Sequence, residues 1–232
     1  MRIEYSVSLW SADLTNLGKA VKDLEGYADY FHFDVADGHF VPNLLFFPDL
    51  VKSLRSLTNV PFEVHLIVEN PGRYIDSFAQ AGANIISVYP EACQDLTRTL
   101  VKIRERNIKV SLSLSPRTSV SILKSVANML DFVVIMGTEI GVKGRSLLPS
   151  TYQKIAEVKK ILENLRIKNV KIEVDGGIRK ETVPLLIRAG ANILVPGSLV
   201  FNNNYPEIFS WLRQLNKRKG EDGCYKETNR KN

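Results

Sequence analysis

Three histidines occur in the 232 residues, and two of them stand two positions from an acid at the end of a short β-branched or aromatic run. One run closes in His32-Phe33-Asp34. Side chains alternate along a strand, so this spacing points the imidazole and the carboxylate to the same side. A second run closes in Glu63-Val64-His65, and a third in Glu173-Val174-Asp175-Gly176-Gly177. If strand ends of this kind cluster, His32, Asp34, His65 and Asp175 form a set of two imidazoles and two carboxylates. Such a set suits one divalent metal ion, zinc, iron, manganese or cobalt, and four protein ligands can still share the ion with a substrate oxygen. The donor types do not choose among these metals. Taken singly, each histidine reads as a satisfied core side chain and each aspartate as a helix cap; four at strand ends point to chemistry. His39 follows the turn Asp37-Gly38 and reads as a loop or capping residue outside the set.

Anion binding is the second chemistry. The last candidate strand ends Val195-Pro196-Gly197-Ser198, where glycine allows close backbone approach and the following amides can open a helix toward a phosphate. The stretch from Met136 through Gly137, Gly141, Lys143, Gly144 and Arg145 to Ser146 is rich in glycine and carries two cations, so it can add amides or charge to the same phosphate. By itself it also reads as an ordinary flexible loop.

Residues so scattered along the chain need a fold that gathers strand ends. Short runs at Ile3–Leu9, Tyr30–Val35, Phe62–Leu66, Ile85–Val88, Lys109–Leu114, Phe132–Met136, Lys171–Val174 and Ile193–Val195 are each followed by a helix-like segment, the first at about Asp13–Leu24. Eight such units predict an α/β fold, a closed (βα)8 barrel, whose sites lie at the C-terminal ends of the strands. Ala81-Gly82-Ala83-Asn84-Ile85 and Ala189-Gly190-Ala191-Asn192-Ile193 each close a helix and open a strand, and read as barrel joints. One catalytic domain is expected over residues 1–216, followed by a basic, flexible tail over 217–232 that carries much of the formal charge of +6. The tail has one aromatic and no recognisable binding module, so no nucleic-acid partner is expected. No apolar run is long enough to cross a bilayer and the N-terminus has no signal core, so the chain is expected to be cytoplasmic with no membrane partner. Cys93 and Cys224 make neither a disulfide framework nor a metal cluster.

From Ser6 to Phe201 the chain resembles the ribulose-phosphate 3-epimerase family. The likeness is carried by His32-Phe33-Asp34-Val35-Ala36-Asp37-Gly38-His39-Phe40-Val41-Pro42-Asn43, which is similar to an HxDxxDGxFVPN signature, and by Ser8-Leu9-Trp10-Ser11-Ala12-Asp13, Val64-His65-Leu66 and Glu173-Val174-Asp175-Gly176-Gly177. The resemblance implies a TIM barrel of the ribulose-phosphate binding type. It implies an isomerase that epimerises D-ribulose 5-phosphate to D-xylulose 5-phosphate through an enediolate, with Asp34 and Asp175 as acid and base and His32, Asp34, His65 and Asp175 on the metal. It also implies substrate contacts from Ser8, His65 and Met136 at the reacting end, and from Gly176, Gly177, Gly197 and Ser198 with the loop residues Gly141, Lys143 and Gly144 at the phosphate. A homo-oligomer is implied as well. The chain departs from the family at Ala36 and Ile67, where methionines are common, at Tyr89, where a histidine is common, and at Glu139–Arg145, which replaces an NPGFGGQ loop. These changes leave open another ketose phosphate, such as allulose 6-phosphate or a tetrulose phosphate, and a non-catalytic sugar-phosphate-binding barrel.

Overall fold

The structure is a computed structural model that describes residues 2–228. Its strands are β1 (Glu4–Ser8), β2 (Tyr30–Asp37), β3 (Leu44–Leu45), β4 (Phe62–Ile67), β5 (Ile85–Val88), β6 (Lys109–Leu114), β7 (Phe132–Met136), β8 (Lys171–Asp175) and β9 (Ile193–Val195). All but β3 are parallel, in the order β1-β9-β8-β7-β6-β5-β4-β2, and pairing of β1 with β2 closes the ring. The expected eight-stranded TIM barrel is therefore present. The helices that return the chain are α1 (Leu17–Leu24), α2 (Pro48–Arg55), α3 (Ile75–Gln80), α4 (Leu96–Glu105), α5 (Leu123–Val126), α6 (Ser150–Asn164), α7 (Val183–Ala189), α8 (Ser198–Phe201) and α9 (Tyr205–Thr228).

Two details differ from the sequence pattern. β2 runs on to Asp37, because Ala36 and Asp37 pair antiparallel with β3, a strand too short to show a period. The expected helix from Asp13 begins as a 3-10 turn (Leu14–Asn16), with the Asp13 carboxylate accepting from the Thr15 amide at 3.0 Å, and becomes α-helical at Leu17.

Alternation sorts every barrel strand into two faces. Outward residues such as Val7, Phe31, Phe33, Val64, Leu66, Val110, Leu112, Val133 and Val174 join the helices in one large apolar cluster. Inward residues stack in layers, as expected for a barrel of this size. At the N-terminal end Tyr30, Ile85, Phe132 and Ile193 form an apolar plug. Above it the interior becomes polar, with Ser6, Glu63, Ser111 and Glu173 all buried. The two joint asparagines act at the plugged end: Asn84 Oδ1 accepts from the Phe62 amide and Asn192 Oδ1 from the Ile172 amide, each at 2.8 Å.

α9 fastens the first strand, packing Ile208, Phe209 and Leu212 into the core, with Phe209 edge-on to Tyr5 at 6.0 Å. The Asn216 side chain accepts from the Ile3 amide at 2.7 Å. The helix continues through the basic stretch from Lys217 where a tail is expected, and residues 229–232 lie outside the described residues. Among the described residues no helix is long and apolar enough to cross a membrane.

Candidate active site

Registry brings the four expected donors together. Ser8 of β1 pairs with His32 of β2, Asp34 pairs with His65 of β4, and Asp175 closes β8 opposite Met136 of β7. His32 Nε2 lies 3.3 Å from Asp34 Oδ1 and 3.8 Å from Asp175 Oδ2, and His65 Nδ1 lies 3.5 and 3.6 Å from the same two oxygens. Ligands held 2.0–2.1 Å from a tetrahedral ion sit roughly 3.3 Å from one another, so the spacing of these donors matches a shared divalent ion. His65 Nδ1 is buried and has no hydrogen-bond partner among the described residues, which leaves its lone pair for such an ion. The four residues thus fit a metal by donor type and spacing, and His65 by its unpartnered nitrogen as well.

The outer nitrogens decide which lone pairs face inward. His65 Nε2 meets Ser113 Oγ at 3.0 Å, and Ser113 Oγ meets Ser87 Oγ at 2.6 Å; with Nε2 donating into this pair, Nδ1 is unprotonated toward the aspartates. His32 is turned the other way. Its Nδ1 faces Glu63 Oε2 at 3.4 Å, while Ser6 Oγ donates to that oxygen at 2.6 Å. Glu63 thus stands behind His32 as a carboxylate stands behind many metal-bound imidazoles. Asp34 is fixed by Ser8, whose hydroxyl donates to Oδ2 at 2.9 Å and leaves Oδ1 for the site.

Burial pushes the Asp34 carboxyl up, but the imidazoles of His32 and His65 outweigh it and hold the group well below the usual carboxylate range. Burial likewise opposes charge on His32, yet Asp34 and Glu63 hold that imidazole well above its usual value. Glu173 lies beside Glu63 with both oxygens unpartnered among the described residues, and burial together with the Glu63 charge pushes its carboxyl well up. Glu63, Glu173, Ser87 and Ser113 are the residues that sequence reasoning missed. The signal was available: Glu63 and Glu173 each precede a ligand by two positions and so share its inward face.

Above the donors opens a cleft. Asp34 and Asp175 form part of its wall, with Ser8, Met136 and Gly176 beside them. Gly141, Lys143, Gly144, Gly177, Gly197 and Ser198 line it farther out, so the expected phosphate residues share one space with the two aspartates. His32 and His65 lie beneath, fully buried. Trp10, Ser11, Thr138 and Arg179 also line the cleft and were not anticipated. Arg179 Nη2 donates to the Gly144 carbonyl at 2.9 Å and so braces the loop. Three cations, Lys143, Arg145 and Arg179, and three carboxylates, Asp34, Glu139 and Asp175, line the cleft; an ion held by the two aspartates would leave the cations in excess, a balance that favours an anion.

Two of the cleft glycines are sterically required. Gly177 has φ +70°, and a Cβ there would come 2.7 Å from the Leu147 backbone. Gly141, at φ +74°, is pressed against Asn43 and Val41, so the Phe40-Val41-Pro42-Asn43 segment supports the loop after β7. His39 stays out of the donor set: its Nδ1 lies 3.0 Å from the Asp37 carbonyl and the side chain is largely exposed. Cys93 has no disulfide, and burial pushes its thiol up to about 11, which leaves it unreactive near neutrality.

Fold and site together define a βα-barrel protein with a buried set of two imidazoles and two carboxylates, able to hold a divalent metal, at the base of a cleft. The chain belongs to the ribulose-phosphate 3-epimerase family, whose profile, described as "Ribulose-phosphate 3 epimerase family", matches residues 4–201. It is accordingly an epimerase, an isomerase of the racemase and epimerase class. It is 45% identical over 203 residues to a ribulose-phosphate 3-epimerase of Bacillus subtilis, covering 87% of this chain and 94% of that protein. It is 37% identical over 209 residues to one of Escherichia coli K12, covering 89% and 92%. Among solved structures, a tryptophan synthase α-subunit of Pyrococcus furiosus superposes with a TM-score of 0.61 at 19% identity, covering 93% of this chain and 95% of that one. A thiamine phosphate pyrophosphorylase from the same organism does so with 0.62 at 16%, covering 93% and 96%. These two likenesses carry the fold alone.

Proposed function

We propose that the protein interconverts D-ribulose 5-phosphate and D-xylulose 5-phosphate by moving one proton at C3. The observation that carries this reading is the pairing of two carboxylates, Asp34 and Asp175, at one point of the cleft wall over a four-donor set. Inverting a carbon beside a carbonyl requires a base on one face and an acid on the other. One aspartate takes the C3 proton, the C3–H electron pair moves into the enediolate, and the other aspartate returns a proton to the opposite face. Each turnover exchanges the protonation of the two carboxylates, so the same pair serves both directions. When bound by His32, Asp34, His65 and Asp175, a zinc, iron, manganese or cobalt ion supplies Lewis acidity that polarises the carbonyl and makes the adjacent proton more acidic. Ser8 keeps Asp34 oriented through its 2.9 Å hydrogen bond. Gly177, Gly197, Ser198 and the 141–144 loop hold the phosphate, with Lys143, Arg145 and Arg179 as cations of the same cleft. The family resemblance supports a homo-oligomer working in the cytoplasm, which light scattering and cell fractionation test.

A second ketose phosphate remains a reading because the wall beside the aspartates is rebuilt: Ala36, Ile67 and Tyr89 pack together with Met136. Deuterium exchange in D2O, followed by NMR on a panel of ketose phosphates with metal-loaded enzyme, separates these readings. Exchange at C3 with epimer formation from ribulose 5-phosphate, abolished by Asp175→Asn, is expected. Turnover of only a six- or four-carbon member reassigns the substrate, and metal binding with no exchange on any member makes the protein a binding barrel.

A further inference from the structure

Tyr89 stands two residues beyond Ser87, whose hydroxyl points into the barrel toward Ser113. Alternation carries Tyr89 to the same interior, one layer nearer the cleft. Its ring lies against the His65 ring, with centroids 5.2 Å apart and planes 30° apart, and against Phe40 at 5.3 Å. It packs with Ile67 and Met136, both of which line the cleft, and with Ala36. Tyr89 is fully buried, yet among the described residues its hydroxyl has no hydrogen-bond partner. A buried donor without a partner costs stability, and phenylalanine would fill the same space without that cost. Packing alone therefore accounts for the ring and leaves the hydroxyl unexplained. A phenol is protonated near neutrality, so its hydroxyl can donate one hydrogen bond.

We propose that Tyr89 is a substrate-contacting residue whose hydroxyl donates a hydrogen bond to an oxygen at the reacting end of the bound ketose phosphate. The inference rests on the epimerase reading given above. Position selects the reacting end. β5 lies four strands round the ring from β9, so Tyr89 faces His65 and stands across the barrel from Gly197 and Ser198. A donor there acts on the oxygens that gain negative charge as the C3 proton leaves, so it serves the deprotonated state more than the ground state. In this chain the phenol occupies the place of the histidine common in the resembling family, and its bulk takes up room that Ala36 leaves.

Tyr89→Phe removes the hydroxyl and keeps the ring. The full-length, metal-loaded variant is compared with the wild type on ribulose 5-phosphate, alongside metal stoichiometry and thermal melting. The expected result is a fall in kcat of about tenfold or more, with KM within about threefold, unchanged metal content and a melting temperature equal to or above that of the wild type. Wild-type kcat in the variant, with a raised melting temperature, would overturn the proposal, because the hydroxyl would then be an idle core group. A fall in kcat that tracks metal loss overturns it too, since Tyr89 would then act through His65. The two levels of failure separate cleanly: a wild-type protein that exchanges no proton on any ketose phosphate defeats the epimerase reading and the contact with it, whereas equal turnover by both proteins defeats the contact alone.

Discussion

Replacing Glu63 by Gln keeps the shape of a buried side chain and removes its charge, and the consequence is expected in metal binding. Glu63 Oε2 accepts from Ser6 at 2.6 Å and faces His32 Nδ1 at 3.4 Å. With the carboxylate present, the favoured neutral tautomer of His32 carries its proton on Nδ1, and Nε2, 3.3 Å from Asp34 Oδ1, presents its lone pair to an ion. An amide holds that tautomer only when its oxygen faces Nδ1, and then by a neutral bond of about half the strength. When its nitrogen faces the ring, the proton is driven to Nε2 and the donor is lost. Partners of this kind behind metal-bound histidines are worth about 10–100-fold in metal affinity, which is roughly 1.4–2.7 kcal/mol. Removing the charge also relieves Glu173, so the stability of the metal-free protein should change by no more than about 1 kcal/mol. Chelator competition on the purified variant, with zinc and with manganese, measures the first quantity, and thermal melting of the metal-free protein measures the second. An affinity within threefold of wild type would refute the reasoning, because His32 would then be oriented by packing alone.

Three further outcomes are expected. Lys143 Nζ donates to the Trp10 carbonyl at 2.8 Å from the cleft rim, so Lys143→Ala should raise KM for a phosphorylated substrate by up to about tenfold with kcat nearly unchanged; steady-state kinetics at two salt concentrations tests this. Gly177→Ala forces a side chain into the left-handed region and onto the Leu147 backbone, at about 2 kcal/mol or more, which lowers the melting temperature by about 4–8 °C and weakens phosphate binding. In the metal-free protein the His32 pKa is raised well above its ordinary 6.5, so the proton it carries must leave when an ion binds, and affinity should rise with pH through and above neutrality. The sign for folding is opposite. The raised His32 stabilises the metal-free protein fully below pH 6.5, and that contribution is lost as pH rises through the folded value, so the melting temperature of the metal-free form should fall over that range. Calorimetry in buffers of differing ionisation heat should detect release of about one proton per ion, and zero release would exclude a protonated His32.

Much of the barrel was written in local pattern. β-branched or aromatic runs of three to seven residues separated by amphipathic stretches gave the eight parallel strands within a residue or two, because burial on the outward face demands alternation regardless of what lies inside. The same alternation made the donor set legible: His32 and Asp34 lie two apart on one strand, and His65 and Asp175 close two others. β3 was not legible, since two leucines, Leu44 exposed and Leu45 partly buried, carry no period and pair only because β2 overruns its apolar stretch.

By itself the sequence determined the strands, the donor types and the likeness to one family, since each of these depends on residue identity and short-range spacing. Tertiary structure decided which lone pairs face the metal. Ser113 behind His65 and Glu63 behind His32 lie 48 and 31 positions away along the chain, and their contacts exist only because registry sets β4 beside β2 and the barrel interior brings Ser113 of β6 past β5 to His65 of β4. It also decided that Arg179 braces the Gly144 loop and that Tyr89 stacks its ring on His65 with a hydroxyl left unpaired among the described residues. Hydrogen-bond orientation and desolvation depend on distances between strands, and spacing along one strand does not encode them.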